Sequence, residues 1–133
     1  MRERLIMATE QKWTILFIKD ASSQFDTTNQ AFKRLFNSVD FVEGREETLQ
    51  TFDANSYDIV IGDLSKEPEE LGLLKQLQDK KEKQCIFAFV DPKDTDKLYG
   101  IADLGINAFE LTADQLTQAL ETIAQFDPYA EQS

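Results

Sequence analysis

Three short apolar runs constrain the fold of this chain more than any other feature of its sequence. They are Trp13–Ile18 (WTILFI), Ile59–Ile61 and Cys85–Val90 (CIFAFV), and they lack the polar alternation of a half-exposed strand. A short run of this kind, rich in β-branched and aromatic residues, is typical of a strand that is buried on both faces. We therefore expect these strands to form the centre of a sheet that is covered on both sides.

Helical patterns separate the three runs. In the first of them, apolar residues recur at helical spacing at Phe25, Phe32, Leu35, Phe36 and Val39. The predicted helices are roughly Thr27–Ser38, Glu46–Ala54, Glu69–Lys83 and Asp94–Leu104, with a last helix after Thr112. Two further strands are predicted, a short one with a weak pattern at Asp40–Glu43 and the last strand at Ala108–Leu111. Strand and helix thus alternate five times, which predicts a parallel sheet with helices on both faces.

The last helix carries the clearest start signal in the sequence. Thr112 and Gln115 have the spacing of a capping box, in which each side chain bonds the backbone N–H of the other residue. Gly105 ends the helix before it, as a glycine in the left-handed conformation commonly does. The apolar stripe of the last helix is Leu116, Ala119, Leu120, Ile123 and Phe126.

The charge balance argues against two classes of partner. The chain has 14 Lys and Arg against 25 Asp and Glu, for a net charge of -11 at pH 7. Such a surface repels nucleic-acid phosphates and anionic lipids. The short basic cluster at Lys80, Lys81 and Lys83 alternates with acidic residues and fits a solvated helix end. No apolar run approaches the ~20 residues of a membrane span, so we expect neither nucleic-acid nor membrane binding.

Histidine and cysteine usage excludes several kinds of active site. The chain has no histidine, which removes Ser-His-Asp and Cys-His catalysis and most zinc sites. Its one cysteine, Cys85, lies in an apolar run where a buried, inert thiol is expected. With no nucleophile and base in view, we do not expect an independent enzyme.

The length of 133 residues fits one domain. We expect the domain to span residues 12–127, with residues 128–133 as a tail. Residues 1–11 are interpreted as an extension outside the fold, either disordered or derived from cloning. The apolar group Leu5–Met7 is too short for a secretory signal, so a cytoplasmic protein is expected.

The carboxyl ends of the strands are where an open parallel sheet places its ligands and its chemistry. Lys19 and Asp20 follow the first strand, Asp63 follows the Ile59–Ile61 run, and Val90 and Thr112 follow later strands. Asp63 has two interpretations. It is either a loop residue that faces solvent or a reactive carboxylate at the open end of the sheet.

Four sequence segments together resemble the receiver domain of response regulators, the phosphoacceptor module of two-component signalling. They are ILFIKD, YDIVIGDL up to Asp63, Pro68 and Gly72 with LLKQL, and GINAFELT, and the resemblance covers about Lys12 to Phe126. The order and spacing of the segments carry the resemblance, since no single one is specific. The resemblance implies a flavodoxin-like (βα)5 three-layer α/β sandwich with a five-stranded parallel sheet.

The resemblance also implies roles for individual residues. Asp63 matches the aspartate that accepts a phosphoryl group from a histidine kinase or a phosphotransfer protein. Asp20, Asp63 and the backbone carbonyl of Ser65 match the ligands of a magnesium ion. Lys19 stands where a second acid is usual, so it either weakens the metal site, substitutes for the metal's charge, or points into solvent.

The positions of the family's switch are altered in this chain. Val90 stands where a hydroxyl residue is usual, and Thr112 stands where a lysine is usual. Phe109 matches the switching aromatic residue but is also expected as a core residue. These departures leave two functions open. One is a stand-alone receiver in a phosphorelay, with Asp63 as acceptor and a downstream protein as partner; the other is a pseudo-receiver that only binds proteins.

A third possibility, a flavin-binding flavodoxin-like protein, is disfavoured because the loop after the first strand has no glycine and several acids. Leu98 and Tyr99 on the fourth predicted helix are candidates for a partner surface.

Overall fold

The computed structural model describes residues 12–19, 25–63, 69–92, 101 and 105–129. Within them, five strands form one sheet in the order β2-β1-β3-β4-β5, and every neighbouring pair is parallel. The strands are β1 (Thr14–Lys19), β2 (Ser38–Glu43), β3 (Ile59–Asp63), β4 (Cys85–Val90) and β5 (Asn107–Glu110). The predicted α/β fold with a five-stranded parallel sheet is therefore confirmed.

The described helices cover both faces of this sheet. They are α1 (Ala31–Leu35), α2 (Arg45–Ala54), α3 (Glu69–Lys80) and α4 (Leu116–Gln125), the last preceded by a 3-10 turn at Ala113–Gln115. Side chains of α1 and α4 pack on one face, which we call the α1/α4 face. Side chains of α2 and α3 pack on the other, the α2/α3 face. The predicted burial of the central strands on both faces follows from this arrangement.

Alternation along each strand divides the core between the two faces. On β1, Ile15 and Phe17 lie on the α1/α4 face, and Leu16 and Ile18 lie on the α2/α3 face. All four are at most 2% exposed. The α1/α4 face is rich in aromatic residues, whereas the α2/α3 face is mainly aliphatic. The apolar runs of the sequence are thus explained by two hydrophobic layers, one on each side of the same strands.

The first helix is much shorter than predicted, and the prediction of Thr27–Ser38 was wrong at both ends. Before α1, the side chain of Asp26 accepts a hydrogen bond from the Thr28 N–H at 2.9 Å, and that of Asn29 accepts one from the Ala31 N–H at 2.8 Å. Such local bonds hold the chain in turns and delay the helix. After α1, the chain becomes extended at Phe36. Val39 therefore belongs to β2 and not to the helix.

Other predicted boundaries agree more closely. Helix α3 ends at Lys80 and not at Lys83, and its buried residues include Leu73, Leu74 and Leu77. Gly105 has a φ of 75°, as expected for a residue that ends a helix. Of the helix predicted over Asp94–Leu104, only Ile101 lies among the described residues, and it is fully buried.

A glycine near the end of β3 brings α3 close to the sheet. A Cβ atom added at Gly62 would lie 2.8 Å from Cδ2 of Leu74, which is closer than such atoms normally approach. Leu74 itself is 1% exposed. Because Gly62 has no side chain, α3 packs directly over the end of β3, next to Asp63.

Candidate functional site

Asp63 is the last residue of β3, and its side chain is fully buried. It follows Ile59 and Ile61 on the α1/α4 face by the alternation of the strand. Its register partner on β4 is Phe89, which is also fully buried. The interpretation of Asp63 as a solvent-facing loop residue is therefore wrong, because the carboxyl group lies inside the protein at the carboxyl end of the strand.

Phe25 packs against a residue of β4, the strand beside Asp63. It is 5% exposed, and its ring packs against the ring of Phe89 with centroids 5.5 Å apart. Phe89 is the residue that pairs with Asp63 in the sheet. Asp63 and this aromatic pair therefore lie on the same face of the sheet, near the carboxyl ends of β3 and β4.

Lys19 contacts the neighbouring edge strand. Its Nζ lies 3.9 Å from Oε1 of Glu43, which is its register partner on β2. The two side chains are 33% and 49% exposed, so the ion pair is screened by solvent and contributes little to stability. Whether Lys19 also substitutes for a metal's charge stays a prediction, because Asp20 lies outside the described residues.

Of the three predicted magnesium ligands, the structure describes Asp63 and does not describe Asp20 or Ser65. Among the described residues, no three Asp, Glu, Cys or His side chains cluster in a way that could hold a metal ion. Two carboxylates and a carbonyl are nonetheless the hard oxygen ligands that Mg²⁺ prefers. The buried carboxylate of Asp63 fits that set, and the metal site stays a prediction.

Val90 lies on the opposite face of the sheet from Asp63. It is fully buried in the aliphatic core of the α2/α3 face. Because Phe89 shares the face of Asp63, the next residue on the strand points away from it. The Val90 side chain, which has no hydrogen-bond donor, therefore packs in the core and not beside Asp63.

Phe109 and Thr112 are both engaged in local structure. The Phe109 ring stacks on Phe87, with centroids 5.5 Å apart, and meets the edge of Phe89 at 6.1 Å. Thr112 starts the last helix as predicted: its backbone N–H donates to Oε1 of Gln115 at 2.8 Å. Its hydroxyl donates to the carboxylate of Asp114 at 2.5 Å. Phe109 thus packs in the core and Thr112 starts a helix, at the two positions where the resemblance implies switching.

A polar network at the amino end of β3 was not predicted from the sequence. Oδ2 of Asp58 accepts hydrogen bonds from the Thr14 N–H at 2.8 Å and the Thr14 hydroxyl at 3.1 Å. Oδ1 accepts one from the Tyr129 hydroxyl at 2.5 Å, and the Tyr129 ring packs 5.9 Å from that of Trp13. Burial alone would raise the pKa of Asp58, but the hydrogen bonds from Tyr129 and Thr14 outweigh it and lower this pKa.

The partners of Asp58 are 44 and 71 residues away in the chain. No local spacing in the sequence could indicate them. The only available signal was an acid placed directly before a buried strand. The network also includes Tyr129, which the predicted domain boundary assigned to the tail.

Pro68, Leu98 and Tyr99 lie outside the described residues, as do Asp20 and Ser65. In the part of the chain that the structure describes, no helix has both the length and the apolar character needed to cross a membrane.

Comparison with known proteins identifies the fold but no close relative. No protein-family model and no curated protein matches the chain. Solved structures do match. A response regulator receiver domain protein from Clostridium thermocellum is 22% identical, with 84% of this chain and 93% of that chain covered and a TM-score of 0.63.

Two further matches agree. A CheY-like receiver domain protein from Methanospirillum hungatei is 14% identical, with 89% and 97% of the two chains covered and a TM-score of 0.69. A response regulator from Thermotoga maritima, solved in complex with Mg²⁺ and BeF, is 18% identical, with 83% and 97% covered and a TM-score of 0.61. The chain therefore has the fold of response-regulator receiver domains.

Proposed function

We propose that this chain is a receiver-like domain of a two-component phosphorelay and that Asp63 is its phosphoacceptor. The observation that carries the proposal is the position of the Asp63 carboxyl group, fully buried at the carboxyl end of the middle strand of a receiver-type sheet. Ligands and chemistry in open parallel sheets lie at this edge. The partners would be a cytoplasmic histidine kinase or phosphotransfer protein and a downstream protein.

The chemistry requires little of the protein beyond position and charge. A carboxylate oxygen of Asp63 attacks the phosphorus of a phosphohistidine or a small phosphodonor, the bond from phosphorus to the leaving group breaks, and an aspartyl phosphate forms. Asp20, Asp63 and the Ser65 carbonyl would hold Mg²⁺, which offsets the negative charge of the phosphoryl group when bound. Since Asp63 is fully buried, a donor reaches it only after the protein around the carboxyl group has moved.

The second candidate function is a pseudo-receiver that binds proteins without being phosphorylated. It is supported by Val90, which has no donor, and by Thr112, whose hydroxyl is bonded to Asp114. A phosphorylation switch needs contacts that differ between its two states. Because Val90 packs in the core and Thr112 starts a helix, the usual switch in response to an aspartyl phosphate would be weakened.

Phosphoryl uptake distinguishes the two functions. The purified full chain is incubated with acetyl phosphate and Mg²⁺, and intact mass spectrometry measures the gain of one phosphoryl group. We expect uptake by the wild type, complete loss in Asp63→Asn, and no change in Asp53→Asn. Asp53 is a matched control because it is an exposed acid of α2 that pairs with Lys80 at 3.3 Å.

Two results would contradict the proposal. Absence of uptake by the wild type would favour the pseudo-receiver. Uptake that persists in Asp63→Asn would assign the acceptor role to another residue.

A further inference from the structure

Strand β2 is an outer strand of the sheet that the described residues form. It pairs with β1 in an uninterrupted register over all six of its residues, from Ser38 to Glu43. The N–H of the preceding Asn37 donates to the Trp13 carbonyl on the β1 side. By alternation, the backbone groups of Ser38, Asp40 and Val42 are directed away from β1. A regular outer edge of this kind is a template for one more strand.

A cavity of about 400 Å³ lies beside this strand, between β2 and the start of α1. Its apolar lining is Phe32, Val39 and Phe41, and its polar rim includes Thr28 and Asn37. Phe41 is 36% exposed, and its ring meets the Phe32 ring edge-on with centroids 5.0 Å apart. The volume is within the roughly 300–1,000 Å³ of ligand sites and is enough for one or two side chains.

Four of the five charged residues from Ser38 to Glu47, on β2 and the first turn of α2, are acids. Asp40 and Glu43 on the strand, and Glu46 and Glu47 on the first turn of α2, are all exposed. Among the described residues, the cations near β2 include Lys19, which pairs with Glu43, Arg45, whose guanidinium donates a hydrogen bond to Gln76, and Lys33 at the cavity rim. The net charge of the whole chain is -11, so a second copy of the protein would be repelled. Charge complementarity therefore favours a basic partner.

We propose that β2 is a docking edge for an extended, basic segment of a partner protein. The segment would add a strand beside β2 and place an apolar residue in the Phe41 cavity. Phe41 and the cavity lie on the α1/α4 face, whereas Asp40 lies on the other face and accepts a hydrogen bond from Tyr57. A segment that alternates apolar and basic residues matches this division, because side chains of an added strand alternate in the same way.

Binding of a defined peptide tests the proposal. The probe is a fluorescein-labelled peptide that alternates leucine and lysine, and its matched control alternates leucine and glutamate. Fluorescence anisotropy is measured with the full chain. We expect saturable binding of the basic peptide and at least tenfold weaker binding of the acidic one.

Variants separate the docking edge from unspecific attraction. Asp40→Pro removes a backbone N–H that faces outward, a position where an edge strand tolerates proline. Glu43→Lys reverses one charge, and Asn37→Trp fills the cavity from its rim. Each is expected to weaken binding at least fivefold. Asp79→Lys reverses an exposed acid of α3, away from β2, and is expected to leave the affinity within twofold.

Three results would overturn the proposal. They are no saturable binding of the basic peptide, equal binding by all four variants, and a concentration-dependent dimer of the wild type that Asp40→Pro abolishes. The last would assign the edge to a second copy of the chain. Circular dichroism confirms that each variant is folded. None of these variants changes Asp63, so failure here and failure of the phosphoacceptor proposal are distinguishable.

Discussion

Strand β3 has an aspartate at each end, and the two have different environments. Asp58, just before the strand, is partly exposed and accepts three hydrogen bonds, from Thr14 twice and from Tyr129. Asp63, at the other end, is fully buried on the face that also holds Phe89. One acid joins the starts of β1 and β3 to the C-terminal segment. The other lies at the edge where parallel sheets place their chemistry.

The comparison shows that an aspartate next to a buried strand can have different roles, depending on the end of the strand at which it lies. At the amino end of the sheet, the carboxylate of Asp58 stabilises the fold through donors that the folded chain brings to it. At the carboxyl end, Asp63 is buried at the position that the proposed function assigns to the phosphoacceptor. Substitution of each aspartate should therefore affect stability differently.

The largest effect on stability is expected at the amino end. Asp58→Asn removes the charge that strengthens the bonds from Thr14 and Tyr129, and hydrogen bonds to charged groups contribute about 1.5–3 kcal/mol each. We expect the free energy of unfolding, measured by urea denaturation, to fall by about 2 kcal/mol. Asp53→Asn removes a surface ion pair and should change it by less than about 0.5 kcal/mol. Equal effects of the two substitutions would remove the structural role of Asp58.

A smaller loss is expected from Tyr129→Phe, which removes one donor and keeps the ring beside Trp13. We expect a destabilisation of about 1 kcal/mol in the same urea assay. The protein's one tryptophan is Trp13, so its fluorescence should report an unchanged ring contact. In a double-mutant cycle with Asp58→Asn, the two losses should sum to more than the double variant shows. Strict additivity would mean that the bond between Tyr129 and Asp58 contributes nothing.

The pH dependence of stability should follow both members of this bond. The hydrogen bonds to Asp58 lower its pKa in the folded state, so its contribution is present above the unfolded pKa of about 3.9 and is lost as pH falls through the lower, folded pKa. The bond to Asp58, followed by burial, raises the pKa of Tyr129 to about 12. Its contribution is present below the unfolded pKa of about 10 and is lost as pH rises towards 12.

Thermal melting measures the loss of stability at low and at high pH, and tyrosine absorbance follows the ionisation of Tyr129. Asp58→Asn should flatten the stability profile below pH ~4 relative to the wild type. Tyr129→Phe should remove the absorbance change of a tyrosine whose pKa is raised to about 12. Parallel pH profiles for the wild type and both variants would contradict the inferred network.

The smallest stability change is expected at the carboxyl end. Asp63→Asn keeps the shape of the fully buried side chain and changes no residue of the apolar core around it. We expect the free energy of unfolding to stay within about 0.5 kcal/mol or to rise. A loss as large as that of Asp58→Asn would mean that Asp63 is a structural acid like Asp58.

The sequence predicted the sheet more accurately than the first helix and the polar contacts. Burial on both faces leaves a local mark, which is why Cys85–Val90 was predicted at its observed bounds. The first helix was predicted too long because the turns at Asp26 and Asn29 compete with a pattern of phenylalanines. The position of Asp63 at a strand end could be predicted, since it depends on strand order along the chain.

Contacts between distant segments could not be predicted in the same way. The bonds from Tyr129 to Asp58 and from Lys19 to Glu43 exist only after the strands have paired. The orientation of Val90 away from Asp63 also depends on where β4 begins and on its register with β3. Such features follow from tertiary packing, which leaves no periodic signal in the chain.

The most direct test of the account is a two-dimensional ¹H–¹⁵N spectrum recorded with Mg²⁺ and beryllofluoride, which mimics a phosphoryl group on aspartate. We predict shifts concentrated at the carboxyl ends of the strands, at Asp63 and Phe89, that vanish in Asp63→Asn. The amide of Thr14, beside Asp58, should stay in place. An unchanged spectrum of the wild type, or shifts that persist in Asp63→Asn, would contradict the assignment of phosphoryl chemistry to Asp63.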